Sequence, residues 1–214
     1  MADDNTGIFD TTHPVRLFHP NLHTPKAFKG PNGKANGEEK YSANLAMGPD
    51  HPDLAAMKKL AVAVARAKWP TRPLTELSFP FQNGDKLADK AKSKGKSGEF
   101  NRGLVIMPAR SKFPPRLSAI VNRQVVEYED EARVKAKDKF FFGAEVLAQV
   151  NFVAYDGVGN NPDGVTAYLN QVCATGKGER IAGVGGVSET FRGYAGALSG
   201  VDPTTAAGDD EIPI

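Results

Sequence analysis

The sequence predicts a mainly β fold, a small bent barrel carrying one α-helix at about residues 52–68 and long basic loops. Three observations predict it. Residues 140–155 alternate: Phe142, Ala144, Val146, Ala148, Val150 and Phe152 form a wholly apolar face, and Phe141, Gly143, Glu145, Leu147, Gln149, Asn151, Val153 and Tyr155 form a mixed one. Such alternation marks a strand with one face against a core, and a strand this long with a glycine near its start suits a barrel better than a flat sheet. The other apolar runs are short and bounded by Gly or Pro, and one stretch alone carries a helical period.

Taken in order, residues 1–14 read as a polar arm. Val15–His19 has strand character, ended by Pro20, which removes a ladder donor. Pro25–Lys34 is a turn-rich loop bearing Lys26, Lys29 and Lys34 around Phe28. Tyr41–Met47 is a second strand, closed by Gly48-Pro49. In the helix, Pro52 suits the first turn and Asp50 or His51 can cap it, while Leu54, Met57, Ala61, Val64 and Ala65 recur on one face. Trp69-Pro70 ends it, because proline disfavours helical conformation in the residue before it. Trp69 is the only tryptophan; it either packs at the helix end or offers a stacking platform.

An Asn83-Gly84 turn signal leads into the most basic segment, 86–102. Lys86, Lys90, Lys92, Lys94, Lys96 and Arg102 stand there against Asp89 and Glu99, a net of +4. In an extended segment, Lys90, Lys92, Lys94 and Lys96 would share one side. Phe81 and Phe100 flank it. Gly103–Met107 and Leu117–Val121 are further short strands, and the mixed-charge run 127–139 reads as a solvated connection. Phe140–Tyr155 is the long strand, 156–164 a turn, and Val165–Ala174 the last strand. The domain organisation expected is an arm (1–14), one folded domain (15–182), and a Gly-rich linker with an acidic tail (183–214).

The tail, Asp209-Asp210-Glu211-Ile212-Pro213-Ile214, follows residues too rich in Gly, Ala and Thr to bury much apolar surface, so disorder is expected there. A flexible linker of some 25–30 residues reaches about 25–33 Å. Residues 202–214 contain Asp202, Asp209, Asp210 and Glu211 and no base, so the body before them has 27 bases against 21 acids, or +6. A basic body with an acidic tail is the sign pattern of nucleic-acid binders.

Other function classes lack their signatures. Cys173 is the lone cysteine, so no intramolecular disulfide is possible and a reducing compartment is expected. Met1–Asn5 carries no apolar leader, and the apolar runs fall short of the ~20 residues that span a bilayer. His13, His19, His23 and His51 have no cysteine nearby and read as loop histidines. Gly176-Lys177-Gly178 lacks the Ser/Thr ending of a phosphate-binding loop, and no Gly-x-Ser-x-Gly elbow occurs. Glu127, Glu129, Asp130 and Glu131 could hold magnesium in a nuclease, but they adjoin an equal run of bases. Neither a metal nor a cofactor is expected.

Several motifs, in this order, resemble a phage-encoded family of single-stranded DNA-binding proteins of the OB-fold kind. They are Val15–Pro20 with Tyr41-Ser42-Ala43; Phe142-Gly143-Ala144-Glu145-Val146; Val153-Ala154-Tyr155-Asp156; and Gly164-Val165 through Leu169-Asn170-Gln171-Val172. The tail is similar to the Asp-Asp-Asp-Ile-Pro-Phe ending by which bacterial single-stranded DNA-binding proteins recruit replication and repair partners. It departs at Ile214, an aliphatic residue in the aromatic's place.

The resemblance implies an OB-fold that coats single-stranded DNA, non-enzymatically and with little sequence preference, in phage replication or recombination. Lys86, Lys90, Lys92, Lys94, Lys96, Arg102, Lys112 and the loop lysines Lys26, Lys29 and Lys34 are expected to meet phosphates. Tyr41, Phe81, Phe100 and Tyr155 are the candidates for base stacking, with Gln149 and Asn151 lining the same wet surface. The tail is expected to recruit replication or recombination proteins and to compete for the groove, in the cytoplasm of the infected bacterial host. No membrane partner is expected, and self-association stays open. A metal-dependent nuclease or resolvase and an RNA-binding or strand-annealing module are the alternatives.

Overall fold

The computed structural model describes residues 6–29, 35–159 and 161–181. Lys34 and the whole of the expected linker and tail, including Asp209–Ile214, lie outside the described residues.

Among the described residues, nine strands and three α-helices follow in the order β1 (Thr6–Asp10), β2 (Val15–Lys29), β3 (Ala35–Met47), α1 (Leu54–Lys68), β4 (Gln82–Asn83), α2 (Gly84–Lys92), β5 (Val105–Ser111), β6 (Arg116–Val121), β7 (Gln124–Tyr128), α3 (Asp130–Lys135), β8 (Ala144–Tyr155) and β9 (Gly164–Gly178). Five of the strands close a barrel. β2 pairs with β3, β3 with β5, β5 in parallel with β9, β9 with β8, and β8 returns to β2. This mainly β barrel is an OB-fold. Among the described residues no helix is long and apolar enough to cross a membrane.

The alternation of β8 decides which side faces in. Ala144, Val146, Ala148, Val150, Phe152 and Ala154 are all buried, joined in the core by Leu17 and Leu22 of β2, Leu45 of β3, Met107 of β5 and Leu169 of β9. Helix α1 lays Leu54, Met57, Ala61, Val64 and Ala65 on this core. It approaches β1 so closely that a Cβ at Gly7 would stand 2.8 Å from a Leu60 methyl. Trp69, half-buried, packs at the helix end with Lys68 Nζ 5.0 Å from its ring centre.

Several elements depart from the sequence-based expectations. Residues 6–10 are not arm but β1, paired with Gln149–Val153 of β8. Pro20 does not end β2; it sits in the irregular step between Phe18 and Asn21, beside His19 at φ 49°, and bulges tolerate proline within a strand. The expected loop 25–34 begins as strand, for β2 runs on to Lys29 and β3 starts at Ala35. The residue at the head of α1 is Asp53, and its carboxylate turns away to accept from Thr12 N–H (2.9 Å), His13 N–H (2.9 Å) and the Thr12 hydroxyl (2.7 Å).

The basic segment is the largest departure. It is a helix and a compact turn, not an extended loop. Asn83 caps α2 by accepting from Lys86 N–H at 3.0 Å. Leu87, Phe100, Leu104, Phe142 and Ile181 cover a second apolar cluster of Phe18, Ala46 and Ile106 on the outside of the barrel. Burying that patch rewards folding the segment back over it. The run 127–139 is mostly exposed, as expected of a solvated connection, but it is tied down at two points: Ala136 is buried, and Arg133 donates to the carbonyls of Leu22 and Pro115.

Candidate nucleic-acid interface

The outward face of the barrel carries a row of side chains set by strand register. Asn21 of β2 pairs with Ser42 of β3, Ser42 with Arg110 of β5, Arg110 with Tyr168 of β9, Tyr168 with Asn151 of β8, and Asn151 with Ile8 of β1. Directly paired residues project to the same face. Six strands therefore contribute one line across the surface, polar and aromatic over five of them and ending on the exposed Ile8, with the core-facing neighbours Ala43, Ala109, Ala167, Leu169 and Val150 beneath it. Arg110 is exposed, and Tyr168 is 37% exposed. Asn21 Nδ2 donates to Ser42 Oγ at 3.2 Å.

One end of this floor is a basic arm. Lys26 of β2 lies directly opposite Lys40 of β3, which is two residues from Ser42 and so on the same face. Like charges directly opposite destabilise a ladder, and neither lysine has a carboxylate partner among the described residues. Lys112 continues the face two residues beyond Arg110 and meets Glu38 at 2.9 Å, a contact that raises its pKa through hydrogen bonding and charge. Phe113 beside it is 78% exposed. At the other end, the α2 block covers Ala46 and Ile106 and leaves Ser42, Asn44, Pro108 and Arg110 of the same strands uncovered. The result is an open, basic, partly aromatic floor between the β2–β3 arm and α2.

The expected site residues divide between this floor and other places. Gln149, Asn151 and Tyr155 are on the outward face of β8, and all three are half-buried. Gln149 donates to Asp10 at 2.7 Å; the Asn151 side-chain oxygen is shielded and has no partner. Lys86, Lys90, Lys92, Lys94 and Lys96 are exposed on α2 and its following turn, but Lys90 and Lys92 point in directions about 200° apart on a helix and cannot share one side. Arg102 is held by Glu99 (2.6 Å) and Asp89 (2.9 Å), hydrogen bonds that raise its pKa further.

Three expected stacking residues are committed to contacts of the fold. Phe100 stands edge-on to Phe18 (5.4 Å between ring centres) and Phe142 (5.0 Å). Phe81 packs against the core, 6.0 Å from Phe152. Tyr41, one residue from Ser42, faces the other way, into a cleft of about 570 Å³ where the Arg133 guanidinium lies 6.0 Å from its ring centre. Desolvation, then the charges of Arg133 and Lys137, lower the pKa of His23 in that cleft.

Tyr168, Arg110, Lys40 and Phe113 are the residues that sequence reasoning missed. For Tyr168 the signal was present, since Val165, Ala167 and Leu169 alternate with Thr166, Tyr168 and Asn170 as β8 does. Among the described residues no three His, Cys, Asp or Glu side chains form a metal-holding group.

A family model described as "Enterobacter phage Enc34, ssDNA-binding protein" matches residues 10–198. Three solved structures of the single-stranded DNA-binding protein from bacteriophage Enc34 are similar in fold. The C-terminally truncated form is 19% identical with a TM-score of 0.57, covering 85% of this chain and 95% of that one. The form without that truncation is 18% identical with a TM-score of 0.57, covering 90% and 96%. The form in complex with single-stranded DNA is 19% identical with a TM-score of 0.55, covering 85% and 96%. No curated protein matches the chain.

Proposed function

The chain belongs to the family of the Enterobacter phage Enc34 single-stranded DNA-binding protein, and from that membership we propose that it binds and coats single-stranded DNA without catalysing a reaction. The observation that carries this reading onto particular residues is the register row Ser42–Arg110–Tyr168–Asn151 beside the unrelieved Lys26–Lys40 pair. Phosphates passing along the arm relieve that like-charge pair and release counterions, giving an affinity that falls as salt rises. Bases stack on Tyr168, with Phe113 and Tyr155 as further platforms; every base has a π-face, so sequence preference is small. Lys112 adds a further phosphate contact on the floor, and the lysines of α2 add long-range attraction at its rim.

The described residues form the binding domain. The tail, Asp209–Ile214, carries the acidic and aliphatic chemistry of a recruiting segment for replication or recombination proteins, and its negative charge suits it to compete with DNA for the basic floor. The setting is the cytoplasm of a phage-infected bacterium.

Competition among labelled single-stranded DNA, duplex DNA and RNA of equal length at fixed salt tests the proposal. Single-stranded DNA is expected to win. Preference for RNA makes the chain an RNA-binding module, and cleavage of any strand on adding magnesium makes it a nuclease.

A further inference from the structure

The β6–β7 hairpin leaves one strand edge unoccupied. β7 stands at the end of the sheet order and, among the described residues, pairs with β6 alone. The turn residues Asn122 and Arg123 are both left-handed, at φ 51° and 65°, as a tight two-residue hairpin of type I′ requires. The flanking pair Val121–Gln124 is then hydrogen-bonded, so the alternate residues Val125 and Glu127 turn their N–H and C=O groups away from β6. The side chains there are apolar and open: Val125 is 63% exposed, Val126 40%, and Ile120, which pairs with Val125, 38%. Gln124–Tyr128 contains no proline, lysine or bulge, and of the devices by which edges are blunted it carries a single charge, Glu127.

We propose that β7 pairs antiparallel with β7 of a second copy of this chain, across a two-fold axis through Val126. The outward groups at Val125 and Glu127 permit registers centred on Val125, Val126 or Glu127. Only the middle one pairs all five residues of each strand. It sets Val126 against its symmetry mate, Gln124 against Tyr128 and Val125 against Glu127, and just beyond the strand it brings Arg123 opposite Glu129. Centring on Glu127 would oppose two carboxylates, which is unfavourable; centring on Val125 would draw the turn residue Arg123 into the ladder. The seam is self-complementary in hydrogen bonds, apolar contact and charge, as an isologous interface must be. Joined this way, two barrels share one continuous sheet.

The test uses the full chain without DNA. Sedimentation over a range of concentrations is expected to show a reversible dimer. Val126→Cys is expected to form a disulfide-linked dimer on mild oxidation, because directly opposed non-hydrogen-bonded residues have Cβ atoms about 4.5–5.5 Å apart. Val125→Cys, opposite Glu127, crosslinks far more slowly. Arg123→Glu and Glu129→Arg each weaken the dimer about fivefold, and the double variant restores it; both positions are exposed, so the fold is not at stake. A chain that stays monomeric at every concentration, equal crosslinking at 125 and 126, or a dimer that survives Val126→Lys overturns the proposal.

Discussion

Two basic regions of this molecule look alike in composition and differ in construction. Segment 86–102 concentrates its lysines in sequence, and the fold spends that segment on covering Phe18, Ala46 and Ile106. The barrel floor draws Lys26, Lys40, Arg110 and Tyr168 from four strands, and register alone assembles them. The aromatic of that segment, Phe100, is turned away from its lysines to Phe18 and Phe142. The floor has a ring and cations on one face. Density of charge along a chain and register across strands thus build two different kinds of basic surface, and on the function proposed the first attracts DNA at a distance and the second holds it.

Substitutions can break or sharpen that contrast. The largest expected effect is on stability: Phe100→Ala removes the lid of the outer cluster and lowers unfolding free energy by about 3 kcal/mol, measured by urea denaturation. Its DNA affinity, for the fraction still folded, stays near wild type. If binding collapses with stability intact, Phe100 is a base platform and the division between the regions fails. Next comes Tyr168→Ala, expected to weaken single-strand binding by about 1–3 kcal/mol in fluorescence titration, with the fold unaltered.

Lys40→Ala should act in opposite directions on two readouts. It lowers the slope of log affinity against log salt by about 1, through one lost phosphate contact. It also stabilises the free protein by about 0.2–1 kcal/mol, by removing the like-charge opposition to Lys26. Lys90→Ala should change the slope less and leave stability untouched. Equal slopes for the two variants would erase the contrast.

The smallest effect concerns acid. Desolvation works against the charged form of Asp53, but hydrogen bonds from Thr12 and His13 outweigh it and hold the carboxyl below its ordinary 3.8. A lowered folded pKa gives stability that is fully present above the unfolded value and is lost as pH falls through the folded one. Thermal midpoints should therefore begin to drop below about pH 3.8. Asp53→Asn should remove that share of the pH dependence.

Much of the barrel was legible in the sequence because its strands are buried on one side. Alternation from Ala144 to Phe152 announced both a core face and a wet one, although Phe142, expected on the core face, lies in the outer cluster with Phe18 and Phe100; the helix-period residues of α1 are those buried in the fold. The long β2–β3 arm was not legible, because a strand far from the core has no apolar face to alternate and its turn-forming Pro and Gly residues read as loop. The folding back of 86–102 was not legible either: the patch it covers is assembled from Phe18, Ala46 and Ile106 on three separate strands. Of the candidate face, the outward placement of Gln149, Asn151 and Tyr155 followed from alternation, and the same rule applied to β9 would have placed Tyr168 beside them. Arg110 could not be placed, since it needs the β3–β5–β9 register.

The position of β9 has a consequence for how the chain folds. This strand pairs with β5, β6 and β8, so it lies between parts of the sheet that have all been made before it. The barrel cannot close until Gly164–Gly178 is available, and pairings between distant segments carry a large loop-closure cost before they are rewarded. A nascent chain ending short of β9 therefore has neither a sealed core nor Tyr168. Barrel closure and the assembly of the Arg110–Tyr168–Asn151 row become one event, set by this strand.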